Sequence, residues 1–183
     1  MAGVGTGDDS DTHPPTLPQL FLRRRPGEGL PLATMTESSN GSTSALQSTT
    51  NARTVETFLF ALQDEDFDAA DSLMADHIAW QNVGFPTIRG RERITKIFRS
   101  GQGRMRFEVK VHRVAAEGDT VLTERTDVLE FGPVRIQFWV CGVFELHAGR
   151  ITLWRDYFDT LDFLRATVRG LLAVPFPALR PTL

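Results

Sequence analysis

The feature that most constrains the fold is a long region, beginning near residue 104, in which apolar and polar residues alternate. Alternation with period two is typical of half-buried β-strands, because successive side chains of a strand point to opposite faces. Short turn sequences such as Glu117-Gly118-Asp119 divide the region into four segments: RMRFEVKVHRVAA, TVLTERTDVLEF, VRIQFWVCGVFEL and ITLWRDYF. Four strands joined by short turns predict a meander-like antiparallel sheet.

Helical patterns precede these strands. Thr50 is a possible N-cap, and the residues after it have the i, i+3, i+4, i+7 spacing of an amphipathic helix: Val55, Phe58, Leu59 and Leu62. A second short helix is predicted over residues 67–74. The acidic run DEDFDAAD around its start lacks the glycine-centred spacing of a calcium loop, so we interpret it as a solvated helix junction.

One further strand and two further helices complete the pattern. The segment HIAWQNVGF predicts a strand with Ile78, Trp80 and Asn82 on one face. The next helix is predicted over residues 89–100, with these residues facing inward: Ile94, Ile97 and Phe98. Asp159 is expected to cap a last helix that carries Leu161, Leu164, Val168 and Leu171.

This order of elements predicts an α+β fold. Helices gathered before a mostly antiparallel run of strands indicate a curved, mixed and largely antiparallel sheet wrapped around the helices. Such a sheet leaves an apolar pocket between its concave face and the helices, which is a natural place for a small molecule.

The first 48 residues differ in composition from the rest. They are rich in Pro, Gly, Ser and Thr and show no apolar periodicity. A segment of this kind buries too little surface to offset its chain entropy, so residues 1–48 are predicted to be a disordered extension. Residues 49–183 are predicted to form a single domain.

Composition also argues against several classes of partner. The net charge of −3 gives no reason to expect a nucleic acid. No run approaches the roughly 18 apolar residues of a membrane span, and no secretory signal opens the chain, so we expect no membrane insertion and a cytoplasmic location. The single cysteine, Cys141, has no neighbours at metal-ligand spacing, and we expect neither a metal nor a cofactor.

The strand TVLTERTDVLEF places two charges on the side that should face the core. Its inward-facing residues are Val121, Thr123, Arg125, Asp127, Leu129 and Phe131. Asp156 lies on a later strand, and if the two strands are neighbours, one arginine can bridge two carboxylates. A structural ion pair or an exposed rim is the alternative. Because buried charges are costly even when paired, we favour a functional site.

Two carboxylates around one arginine can serve as an acid and a base. The arginine lowers the pKa of the carboxylate that it holds better, while burial and the neighbouring negative charge raise the pKa of the other. One group can then deliver a proton while its partner removes one from water, although the pair titrates as a unit.

These motifs resemble the limonene-1,2-epoxide hydrolase family, particularly its mycobacterial-type members. The likeness lies in VLTERTDVLEF, in ITLWRDYFD with GVFEL and a glycine turn before it, and in WQN of the earlier strand, and it spans roughly residues 50–175. It implies a cone-like fold of the nuclear-transport-factor-2 (NTF2) or cystatin type, usually a homodimer. The family opens epoxides to vicinal diols in one step, without a covalent intermediate or a cofactor.

The resemblance also implies a role for each residue of the motifs. Asp156 would be the base that activates water, Asp127 the acid that protonates the epoxide oxygen, and Arg125 the group that holds both. Asn82 would help to position the water. Trp80 stands where the family commonly has a tyrosine, and because an indole N–H can only donate a hydrogen bond, its part in positioning the water should differ.

The substrate and the competing functions are less constrained. Thirteen phenylalanines and three tryptophans favour an apolar epoxide of terpenoid, steroid or fatty-acyl type. One alternative is a ketosteroid-isomerase-like or polyketide-cyclase-like enzyme, whose chemistry requires a neutral donor at an oxyanion. The other is a non-catalytic module that binds lipophilic molecules. Arg125 argues against the isomerase or cyclase, whereas the binding module predicts ligand binding that neutralising Asp127 and Asp156 leaves unchanged.

Overall fold

The computed structural model describes the backbone of residues 33–183 and the side chains of residues 41–183. Within this part of the chain, the helices are α1 (Ala33–Gln63), α2 (Phe67–Ser72), α3 (Arg91–Gly101) and α4 (Thr160–Leu172), followed by a short 3₁₀ turn (Pro177–Leu179). The strands are β1 (Met74–Asn82), β2 (Ile88–Arg89), β3 (Met105–Glu117), β4 (Thr120–Phe131), β5 (Val134–His147) and β6 (Arg150–Tyr157).

The strands form one six-stranded sheet in the order β2-β1-β6-β5-β4-β3. Strands β3 to β6 pair antiparallel in succession, as their short turns predict, and β1 pairs parallel with β6. The sheet is curved and unclosed, and the helices pack against it. The predicted α+β class, with a mixed and largely antiparallel sheet, is therefore confirmed.

Helix α1 begins earlier than the sequence pattern indicates. The predicted N-cap at Thr50 is wrong, because Thr50 lies inside the helix and its hydroxyl donates to the carbonyl of Leu46 at 2.9 Å. Residues 33–48, for which we expected disorder, belong to this helix. Residues 1–32 lie outside the described residues, and the disorder predicted for them stays a prediction.

The turn between β3 and β4 stabilises this longer helix. The Gln47 amide donates to the Asp119 carboxylate at 2.6 Å, and the Gly118 backbone N–H donates to the Ser48 hydroxyl at 3.0 Å. The Asn51 amide donates to the Gly118 carbonyl at 2.9 Å. These partners are about 70 residues apart in the chain, so local sequence patterns did not reveal them.

The core lies between α1 and the concave face of the sheet. Helix α1 contributes the stripe predicted for it, and all four members are buried: Val55, Phe58, Leu59 and Leu62. The ring of Phe58 makes edge contacts with Trp154 of β6 at 5.2 Å and with Phe144 of β5 at 6.4 Å. Burial of large rings on one side of the sheet fixes which faces of β4 to β6 point inward.

Two residues predicted to face the core are exposed. On α3, Ile94 is fully buried but Ile97 is not. Thr95 takes its place, because its hydroxyl donates to Asp71 at 2.6 Å and thereby satisfies its polar group. Phe131 is also exposed, since it ends β4 beside the β4–β5 turn.

Helix α4 begins as predicted and presents its apolar stripe to solvent. The Asp159 carboxylate caps the helix by accepting from the backbone N–H groups of Leu161 and Asp162 at 2.8 and 2.9 Å. The helix packs on β5 through its small residues, including Ala166 and Gly170. The exposed stripe comprises Leu161, Leu164, Val168 and Leu171.

Candidate active site

Arg125 lies at the centre of the site and is fully buried. Its Nε donates to both carboxylate oxygens of Asp127, at 2.9 and 3.1 Å, and its Nη2 donates to Oδ1 of Asp156 at 2.6 Å. The third nitrogen, Nη1, donates to the Thr123 hydroxyl at 3.1 Å. The arginine thus bridges the two carboxylates, and both of them are only 5% exposed.

The bridge does not require neighbouring strands, as the sequence interpretation assumed. Strand β5 separates β4, which carries Arg125, from β6, which carries Asp156. The residue of β5 in register with Asp156 is Gly142, which is also in register with Thr123 on β4. Because Gly142 has no side chain, the long arginine side chain can cross β5 at this point.

The pKa values of all three charged groups lie above their ordinary values. Burial alone would lower the pKa of Arg125, but the neighbouring Asp156 and Asp127 raise it above its ordinary value. Burial raises the pKa of Asp127 to about 6, against the opposing effect of Arg125. Burial likewise raises the pKa of Asp156, again opposed by Arg125. Near neutral pH, these two acids hold their protons more tightly than exposed aspartates do.

A cavity of about 520 Å³ opens directly in front of the two carboxylates. Its walls are mostly apolar and aromatic, with contributions from α1, α3, α4 and all six strands, whereas Asn82, Asp127 and Asp156 supply its polar groups. Asn82 ends β1 in register with Asp156 of the parallel strand β6. The structure therefore brings together all five residues singled out in the sequence, four of them on the cavity wall with Arg125 behind them.

Trp80 is part of a stack of rings along one side of the cavity. Its indole stacks on Trp154 at 4.9 Å and on Phe98 at 5.3 Å. The buried indole nitrogen of Trp80 has no hydrogen-bond partner among the described residues. An N–H of this kind remains available to a water molecule or a ligand, as a donor only.

Sequence reasoning missed two residues of the site. Thr123 was recognised as inward-facing but received no role, and Gly142 was noted only as part of a motif. A glycine inside a strand often marks a close approach of another group, and this signal could have found Gly142. Nothing in the sequence pairs Thr123 with Arg125 except their shared face on β4.

Among the side chains of residues 41–183, no group of three or more His, Cys, Asp and Glu is arranged to hold a metal ion. No helix within residues 33–183 is long and apolar enough to cross a membrane.

The architecture defines an α+β protein with the NTF2-like fold. An NTF2-like protein from Burkholderia xenovorans aligns with a TM-score of 0.55 over 66% of this chain and 97% of that one, at 21% identity. A likeness at this identity concerns the fold alone.

The family follows from closer matches. The family model described as the limonene-1,2-epoxide hydrolase catalytic domain matches residues 49–169. Epoxide hydrolase EphG of Mycobacterium tuberculosis is 57% identical over 129 residues, covering 70% of this chain and 87% of that protein. The structure of an LEH-like epoxide hydrolase from M. tuberculosis covers 74% of this chain and 97% of that one, with 55% identity and a TM-score of 0.73. The chain belongs to the limonene-1,2-epoxide hydrolase family, and the enzyme class expected from the sequence, an epoxide hydrolase, is confirmed.

Proposed function

We propose that this protein adds water to an apolar epoxide in a single acid–base step and releases a vicinal diol without a cofactor. The observation that carries this proposal is the buried arginine held between two carboxylates that both face an apolar cavity. A cavity with few polar groups orients a substrate through those groups alone, so the reacting oxygen would lie beside the carboxylates.

In the proposed reaction, Asp156 acts as the base and Asp127 as the acid. Asp156 accepts a proton from a water molecule held by Asn82, and the water oxygen forms a bond to one epoxide carbon. The C–O bond of that carbon breaks, and the departing oxygen receives the proton of Asp127. Proton return from Asp156 to Asp127 then restores both groups, and the product carries two hydroxyls on adjacent carbons.

Arg125 makes this division of roles possible. Two buried carboxylates without a cation would both resist ionisation, whereas the guanidinium stabilises one negative charge shared between them. When the pair holds one proton, it presents one acid and one base to the cavity. Holding water and ring in line within the cavity lowers the barrier further.

The cavity wall supports the proposed substrate class. Rings and aliphatic side chains cover most of its surface, including Phe98, Phe107 and Phe138. The volume of about 520 Å³ falls in the ordinary range for small-molecule sites. A terpenoid, steroid or fatty-acyl epoxide matches such a wall, whereas a sugar or phosphate would leave its polar groups without partners.

The test is diol formation from a panel of apolar epoxides by the wild type, Asp127→Asn and Asp156→Asn. Each substitution removes a proton donor or acceptor and preserves the shape of the side chain, so each is expected to lower kcat by at least about 10²-fold. Asp68→Asn is the matched control, because the Asp68 side chain is 92% exposed and pairs with Arg99 on the surface. Far-UV circular dichroism checks that all variants fold.

Two results would contradict the proposal. Near-normal diol formation in Asp127→Asn would show that one carboxylate is sufficient and would overturn the two-carboxylate mechanism. Tight binding of apolar ligands without turnover by the wild type, unchanged in either variant, would favour a binding module.

We also propose that the protein forms a homodimer. The exposed apolar stripe of α4 supports this proposal, because contiguous apolar surface on a folded chain often marks an interface. Light scattering at micromolar concentration measures the mass directly, and a monomer mass would contradict the proposal.

A further inference from the structure

The guanidinium of Arg125 has a third partner besides the two carboxylates. Thr123 lies two residues before Arg125 on the same face of β4 and is only 2% exposed. Its hydroxyl oxygen accepts from Nη1 at 3.1 Å, whereas Asp127 binds Nε and Asp156 binds Nη2. Each of the three nitrogens therefore has a different acceptor, and together they define the orientation of the planar group.

Gly142 forms the other side of this pocket. A Cβ atom added to Gly142 would lie 2.2 Å from Nη1 of Arg125 and 2.6 Å from the Thr123 hydroxyl oxygen. Any other residue at position 142 would therefore displace the arginine or the threonine. The ring of Phe144, with its centroid 6.0 Å from the guanidinium carbon, lies on the same inward face of β5.

We propose that Thr123 is a positioning residue that, in the space left by Gly142, fixes the orientation of the Arg125 guanidinium towards Asp127 and Asp156. This inference rests on the proposed two-carboxylate mechanism and assigns a role to a residue that the mechanism does not use. A guanidinium can rotate about its side-chain bonds and offer other N–H groups to a carboxylate. The Thr123 hydroxyl holds Nη1 away from the carboxylates, so that Nε and Nη2 face them.

Thr123→Val and Thr123→Ser separate the hydroxyl from the shape of the side chain. Valine keeps the branched shape but leaves Nη1 buried without an acceptor, whereas serine keeps the hydroxyl. The strained orientation in Thr123→Val is expected to lower kcat roughly 10- to 100-fold with little change in KM, and Thr123→Ser to retain most of the activity. Thr126→Val is the control, because the Thr126 hydroxyl contacts His112 at 2.8 Å and does not touch Arg125.

A second measurement does not depend on turnover. Since Arg125 lowers the pKa of both carboxylates, a less well oriented guanidinium should let both rise. Carboxyl titration by ¹³C NMR is expected to show this upward change in Thr123→Val and not in Thr123→Ser or Thr126→Val. The acidic limb of the kcat profile should move to higher pH in the same variant.

The outcomes distinguish this inference from the proposed function. Wild-type titration of both carboxylates in Thr123→Val would overturn the positioning role, whether or not the enzyme turns over an epoxide. Unchanged activity in Asp127→Asn and Asp156→Asn would overturn the mechanism, and the titrations would still decide the role of Thr123. If Thr123→Val does not fold, Thr123→Cys replaces it with the same expectations, because sulfur is a weak acceptor.

Discussion

At the scale of single residues, the site depends on which atoms of Arg125 meet which acceptors. The charge of Arg125 and the two carboxylates could be recognised from the sequence, because charged residues on the inward face of a strand are unusual. The partners of Nη1 could not, since Gly142 and Thr123 meet only through strand register. A donor left without an acceptor on a fully buried cation is destabilising, and this is the physical basis of the role proposed for Thr123.

Trp80 gives a prediction at the same scale. Trp80→Tyr is expected to keep kcat for diol formation or to raise it by up to about tenfold, because a phenol can both donate to and accept from the catalytic water. Steady-state kinetics measures this change. Trp139→Tyr is the matched control, since Trp139 is exposed on the other face of β5. Complete loss of turnover in Trp80→Tyr would show that the indole has a role of its own.

At the scale of elements, hydrophobic periodicity located the helices and strands but not all of their surroundings. The alternation in β3 to β6 predicted the antiparallel meander correctly, because the inward face of each strand is buried against helices. The start of α1 was predicted too late, since contacts of Gln47 and Ser48 with the β3–β4 turn stabilise the helix just before Thr50. The parallel pairing of β1 with β6 joins segments that are distant in sequence, and no local pattern specifies it.

The exposed stripe of α4 gives the prediction at this scale. If the proposed homodimer forms through this stripe, the double variant Leu164→Glu/Val168→Glu is expected to be a monomer at micromolar concentration, because two buried charges without partners would oppose association. Analytical ultracentrifugation measures the change. Leu46→Glu on α1 is the control, since Leu46 is also exposed but lies on another helix. A dimer that persists in the double variant would place the interface elsewhere.

At the scale of the whole molecule, the buried acids connect the site to the stability of the fold. The folded state raises the pKa of Asp127 from 3.8 to about 6, so it favours the protonated acid more than the unfolded chain does. The resulting stabilisation is complete below about pH 4 and is lost as the pH rises through about 6. The site is therefore expected to lower the stability of the enzyme near neutral pH.

Asp127→Asn tests this connection, because asparagine cannot ionise. Relative to the wild type, its free energy of unfolding is expected to increase by up to about 3 kcal/mol between pH 4 and pH 8. Urea denaturation at several pH values measures the difference. Parallel pH dependence in the two proteins would contradict the expectation, and the exposed substitution Asp68→Asn should follow the wild type.

The sequence by itself determined the α+β class, the inward-facing charges and the family. The first two follow from local hydrophobic periodicity, and the family follows from short sequence motifs. Only the tertiary structure decided that β5 lies between the two acid-bearing strands, that Gly142 leaves a passage for Arg125, and that Thr123 binds its third nitrogen. The physical reason is that strand order and register join residues distant in the chain, and packing over the whole sheet selects them.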